Sequence, residues 1–227
     1  MTFFAKANTP AKGEIRMYAP FGRSFDGITP DVLQAAVDSL GQVTQLDIYI
    51  DSDGGSVSDG VGIYNILKRH PAKKKVIVDG LAASIASYVA MVGDEIVMTS
   101  NSQFMIHKAW GLVAGDDDTL ISMAQALKNA SEIIRDAYAA KTKMKPNAVY
   151  DLMKAETWMK APQALKLGFV DSIEEMNEPH QRDAYAMVDK FFNTPEEIRA
   201  RPDRYSGMLA RMSKRVTKRI SGASLAK

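Results

Sequence analysis

Short apolar runs alternate with amphipathic stretches along this chain, and the two periods are easily separated. "EIRMY" (14–18) and "LDIYI" (46–50) read as strands, with apolar side chains recurring at every second position. "KVIVDG" (75–80), "EIVM" (95–98), "QFMIH" (103–107) and "FVDSI" (169–173) are brief apolar runs that read the same way. Between them, "TPDVLQAAVDSLG" (29–41) is punctuated as a helix, with Thr29 as N-cap, Pro30 in the first position and Gly41 just past the end. "DSDGGS" (51–56) is a turn leading into a helix over 57–69, which Pro71 stops. "SIASYVAMV" (84–92) is almost wholly apolar, so a short buried helix is expected.

From Asp118 to Thr142 the period lengthens. Leu120, Met123, Leu127, Ile134 and Tyr138 belong to a series spaced three or four apart, which predicts a long amphipathic helix. Asp116, Asp117 and Asp118 lie where the helix dipole favours negative charge. A helix opened by Pro146 and another at "APQALKLG" (161–168), ended by Gly168, follow. Strands separated by helices of this length predict βαβ units, hence an α/β fold with a largely parallel sheet.

Composition adds boundaries. With 227 residues, 46% hydrophobic and 25% charged, the chain can bury one sizeable core. Having no cysteine, it forms neither disulfides nor thiolate metal sites, which suits a reducing cytosol. No run approaches the roughly 18 apolar residues of a membrane helix, and "MTFFAKANTPAKGEIRMY" lacks a signal-peptide core. A cytoplasmic protein without membrane contact is expected. The net charge of +2 is uneven: the last twenty residues carry six basic side chains and no acid. The expected organisation is a flexible N-terminus (1–13), one folded domain (14–176) and a basic tail (177–227), partly helical or disordered. In the tail, Leu209, Met212, Val216 and Ile220 are spaced for an amphipathic basic helix. Little aromatic content accompanies these cations, so no nucleic-acid partner is expected. No G-x-x-x-x-G-K loop is present, so ATP hydrolysis by this chain is not expected.

Three segments offer chemistry. Ser84 follows a strand and a run of small residues at a helix start, where free N–H groups and the positive dipole end stabilise a developing oxyanion. As a local feature it fits a helix N-cap equally well. His107 closes an apolar strand; imidazole is the usual base for activating a serine hydroxyl, although a lone histidine there also suits a structural role. The glycine pair of "DSDGGSV" opens backbone conformations closed to other residues and can expose N–H groups to a ligand, or it can simply make a βα turn. A carboxylate usually orients the imidazole of such a pair. Asp151, Glu156 and Asp171 are the downstream candidates, and spacing does not choose among them.

In this order, "DSDGGSV", "GLAAS", "FMIH", a long helix and "ETWMKAPQALKLGFVDSI" resemble the Clp protease proteolytic subunit family, and more narrowly its phage head-maturation (prohead) branch. The resemblance spans roughly residues 14–175. It implies a crotonase-like spiral of βαβ units with a projecting handle helix at about 118–142. It implies Ser84 as nucleophile, His107 as general base and Glu156 as third triad member, with the N–H groups of Gly55 and Ile85 forming the oxyanion hole. Two positions depart from the main family: Glu156 replaces Asp, and Asp53 replaces the common Pro before the glycines. Asp171 matches a structural position.

The activity implied is serine endopeptidase cleavage of a protein or peptide substrate within a homo-oligomeric ring, stacked through the handles. It needs no metal or organic cofactor. In the phage role the partners are capsid or scaffold proteins, and the setting is the host cytoplasm. In a housekeeping role the substrates are unfolded proteins delivered by an ATP-driven unfoldase. A related acyl-CoA enzyme, a serine–lysine peptidase using Lys108 and an inactive Clp-like scaffold are the competing readings.

Overall fold

The computed structural model describes residues 3–176; the basic tail, including the amphipathic segment around Leu209–Ile220, lies outside the described residues. Among the described residues eight strands form one sheet: β1 (Phe3–Thr9), β2 (Lys12–Met17), β3 (Gln45–Ser52), β4 (Lys73–Ala83), β5 (Glu95–Thr99), β6 (Gln103–Ile106), β7 (Thr157–Lys160) and β8 (Ser172–Glu174). The main order is β1-β2-β3-β4-β5-β8, and β6 branches from β4 carrying β7 on its far side. β2 through β5 and β8 run parallel, as the βαβ reading predicts, whereas β1 and β7 pair antiparallel to their neighbours.

The helices follow their punctuation. α1 (Pro30–Ser39) is capped by Thr29, whose hydroxyl accepts from the Val32 N–H. α2 (Val57–Arg69) is capped by Ser56. α3 (Ile85–Ala90) is buried along its whole length. α4 (Asp117–Thr142) opens on Asp116, whose carboxylate accepts from the Thr119 N–H at 2.9 Å. α5 (Pro146–Lys154) and α6 (Ala161–Lys166) each begin on or next to a proline.

One face of the central strands is apolar. Leu46, Ile48 and Ile50 on β3, with Val76 and Val78 on β4, are fully buried in a core shared with Leu33, Ile63 and Leu67 of α1 and α2. The alternate positions of β2 and β3 carry Glu14, Arg16, Asp47 and Tyr49. There Lys12 pairs with Asp47 at 2.6 Å, Arg16 pairs with Glu14 at 2.7 Å, and the Arg16 guanidinium lies 5.0 Å from the Tyr49 ring centre.

Three sequence expectations change. Residues 1–13 are not a flexible lead-in over their length, because Phe3–Thr9 form β1, in register from Phe3↔Met17. The strand expected at 169–173 sits later, at Ser172–Glu174, because Phe169 and Val170 are drawn into the core and pairing with β5 starts at Val97↔Ser172. β4 does not stop at Gly80. Its first half pairs with β5 and its second, Leu81–Ala83, with β6. At the register break between β3 and β4, the Asp51 carboxylate accepts from the Leu81 N–H at 2.9 Å, replacing a lost ladder bond. This change of partner carries β4 on to Ser84.

Candidate active site

Ser84 joins β4 to α3 with φ 56° and ψ −130°, one of four non-glycine residues with positive φ among those described. A side chain in that region costs of order 1–3 kcal/mol, which the surroundings must hold in place. They do so from several directions. The Ser84 N–H donates to the Met105 carbonyl of β6 at 3.1 Å, and its carbonyl accepts from the Ser87 N–H at 3.1 Å. Its side chain makes no capping bond to α3. Instead Ser84 Oγ lies 2.7 Å from His107 Nε2. The N-cap reading of Ser84 therefore has no hydrogen bond behind it, whereas the serine–histidine contact has one of ideal length.

His107 is the residue after β6. Burial pulls its pKa down from the ordinary value of 6.5 to about 4, so the imidazole stays neutral and able to accept a proton over most of the working range. The sign follows. Between about 6.5 and about 4 the unfolded chain binds the proton and the folded one does not, so stability falls as pH drops through that window and is level above it. The acid limb of kcat/KM is expected below 6.5, displaced toward 4; a pH–rate profile with a limb at or above 6.5 would contradict this.

The three candidate acids separate in space. Asp151 is largely exposed on α5, 4.0 Å from Lys154. Asp171 is engaged by Lys141 Nζ at 2.6 Å and by the Ile96 N–H at 2.7 Å, tying α4 to β5. Glu156 is buried, between α5 and β7, with φ 50°. The antiparallel ladder of β6 and β7 ends with Ile106↔Thr157, so His107 and Glu156 are each one residue beyond the same paired couple. The ladder thus runs the chain that carries Glu156 alongside the chain that carries His107. Trp158 Nε1 donates to Glu156 Oε1 at 3.4 Å, holding the carboxylate from the strand side. Lys108 is directed elsewhere, its ammonium 5.5 Å from the Tyr150 ring centre on α5.

The glycine turn closes the site. Gly54 has φ 95° and Gly55 φ 139°, values L side chains rarely adopt. A Cβ on Gly54 would fall 2.7 Å from Ser84 Cβ and 2.8 Å from the Ala83 carbonyl, so the turn lies directly against the serine. Gly55 is bridged to Phe21, whose carbonyl accepts from the Ser56 N–H at 2.8 Å. Neither the Gly55 N–H nor the Ile85 N–H donates to a backbone carbonyl among the described residues. Phe21 is fully buried and braces the turn through bridges to both Gly55 and Ile28. The sequence reading missed this brace, for it comes from an irregular segment without periodicity.

A comparison of this chain with protein families matches the Clp protease model over residues 30–177. It is 29% identical over 161 residues to the ATP-dependent Clp protease proteolytic subunit of Porphyromonas gingivalis, covering 69% of this chain and 72% of that one. It is 30% identical over 149 residues to the protein of the same name from Streptococcus mutans, covering 63% and 74%. The glycine turn, Ser84, His107 and Glu156 all fall inside the matched residues, and the chain belongs to the Clp protease family.

Proposed function

We propose that this chain is a Clp-type serine endopeptidase with Ser84 as nucleophile, His107 as general base and Glu156 as the carboxylate that orients the imidazole. The observation that carries this reading is the 2.7 Å contact between His107 Nε2 and Ser84 Oγ at a strained turn opening a helix. His107 takes the Ser84 proton as Oγ attacks the peptide carbonyl. The N–H groups of Gly55 and Ile85 receive the resulting oxyanion. His107 gives its proton to the leaving amine, and water repeats the sequence to release the acyl group. The acyl-CoA and serine–lysine readings lose ground to this contact, since neither calls for a serine–histidine pair.

In this reading the sheet and helices form the crotonase-like spiral, and α4 is the handle. Ile121 and Ile133 of α4 are 67% and 55% exposed, apolar side chains suited to burial between subunits of a homo-oligomeric ring. The two relatives' names connect them with ATP-dependent proteolysis, which favours the general role, with unfolded protein supplied by an ATP-driven partner. The narrower head-maturation role, with capsid or scaffold proteins as substrates, rests on "GLAAS" with the apolar run that follows it and on the "ETW" segment that carries Glu156.

The test is to expose the purified oligomer to a fluorophosphonate probe and locate the adduct by mass spectrometry. Labelling at Ser84 is expected; an intact oligomer with no adduct would point to the inactive scaffold. Glu156→Gln keeps the shape and removes the charge. It is expected to lower kcat by roughly 10²–10⁴-fold with little change in KM, by analogy with the loss when the orienting acid of a triad is neutralised. Unchanged kcat in that variant would remove Glu156 from the mechanism.

A further inference from the structure

Two buried hydroxyls beside the site have no part in the steps above. Ser87 is fully buried on α3 and Tyr138 is 1% exposed on α4. Ser87 Oγ donates to the Ser84 carbonyl at 2.5 Å and lies 2.7 Å from the Tyr138 hydroxyl. A serine hydroxyl has one proton, and here the Ser84 carbonyl receives it. The second contact must therefore run from Tyr138 O–H to Ser87 Oγ. The result is a directed relay: Tyr138 to Ser87 to the Ser84 carbonyl, each bond polarising the next.

The carbonyl so held is half of a functional unit. The Ser84 C=O and the Ile85 N–H are opposite ends of one planar trans peptide. Fixing the oxygen from the α4 side fixes the direction of the N–H on the other. The Ser84 carbonyl receives both the Ser87 N–H and the Ser87 hydroxyl, so both its lone pairs are engaged. The Tyr138 ring packs edge-on against Phe169 at 5.6 Å, a setting in which phenylalanine would serve equally for packing. The hydroxyl, costly to bury, is used only on Ser87 among the described residues.

We propose that Tyr138 and Ser87 are positioning residues that clamp the Ser84–Ile85 peptide plane and so aim the Ile85 N–H at the developing oxyanion. This rests on the serine endopeptidase reading for its catalytic consequence, while the clamp itself does not depend on it.

The experiment compares wild type, Tyr138→Phe, Ser87→Ala and the double variant as intact oligomers. Steady-state hydrolysis of a fluorogenic peptide is measured together with hydrogen exchange of the segment 84–91. In Tyr138→Phe, kcat is expected to fall about tenfold with KM unchanged, since the lost aim matters only once the oxyanion forms and a whole oxyanion donor is worth about 10²–10³. The Ser87 amide, bonded to the Ser84 carbonyl, is expected to exchange faster. The double variant should be no slower than Ser87→Ala, because the two hydroxyls act through one bond. Unchanged kcat in Tyr138→Phe, losses that multiply in the double variant, or a rise in KM at constant kcat would overturn the positioning role. If wild type neither cleaves the peptide nor takes up the probe, the endopeptidase reading fails instead. Exchange then decides the clamp: faster exchange in Tyr138→Phe sustains it and unchanged exchange ends it.

Discussion

Replacing Ser84 with alanine is expected to lower peptide hydrolysis by roughly 10³–10⁶-fold while leaving the fold intact. The hydroxyl makes no capping bond to α3, and its hydrogen bond is to His107, so its removal takes away the nucleophile and little else. Alanine keeps a Cβ at φ 56°, so the backbone strain persists and the melting temperature should barely move. Glycine at this position removes the strain as well as the hydroxyl. Ser84→Gly should be as inactive as Ser84→Ala but more stable than wild type, by about 1 kcal/mol, since a strained side-chain conformation costs of this order. Calorimetry and peptide hydrolysis on the three proteins check both halves. Retention of more than about a tenth of the activity in Ser84→Ala would sink the nucleophile assignment. A Ser84→Gly variant less stable than wild type would show that the turn is not strained.

Gly54→Ala is expected to have the second largest effect, on activity and stability together. At φ 95° the new Cβ would fall 2.7 Å from Ser84 Cβ, 2.8 Å from the Ala83 carbonyl and 3.1 Å from the Ile85 nitrogen. The last two are backbone atoms of the serine-bearing turn, which no side-chain rotation can move aside. Either the glycine turn withdraws and takes Gly55 with it, or Ser84 is displaced from His107. A shift near 1 Å is enough for about a 10²-fold loss in kcat. The forced contact should cost about 1–3 kcal/mol in addition to the positive-φ penalty. Gly41→Ala is the internal control: φ is 67° there, but nothing lies within 4 Å of the added Cβ. That variant should lose some stability and no activity. Similar kinetic losses in both variants would mean that backbone strain, not the contact with Ser84, is responsible.

Much of the molecule could be read before the fold was known. Thr29, Pro30 and Gly41 bracket α1 because a helix needs its first N–H groups capped and its last turn released. The long apolar series through Ile134 and Tyr138 runs over α4, which begins at Asp117, one residue before the expected start. Ser84 and His107 stood out because each followed an apolar strand with chemistry at its end. β1 and β7 were not legible. Most of β1 is exposed, so its apolar alternation is weak, and β7 has four residues whose pairing with β6 supplies the order their sequence lacks.

Local chemistry along the chain determined helix ends, strand cores, and the two residues most able to act on a carbonyl, because capping, periodicity and side-chain reactivity all operate within a few residues. Tertiary structure alone decided which groups meet. It brings His107 onto Ser84 by running β6 alongside the end of β4, and it brings Glu156 to the end of the β6–β7 ladder. It presses Gly54 against the serine, and it carries a hydroxyl from Tyr138, on a distant helix, to the relay that ends on the Ser84 carbonyl. These contacts depend on sheet register and helix packing, set by burial summed over the whole core, and no short stretch of sequence contains that sum.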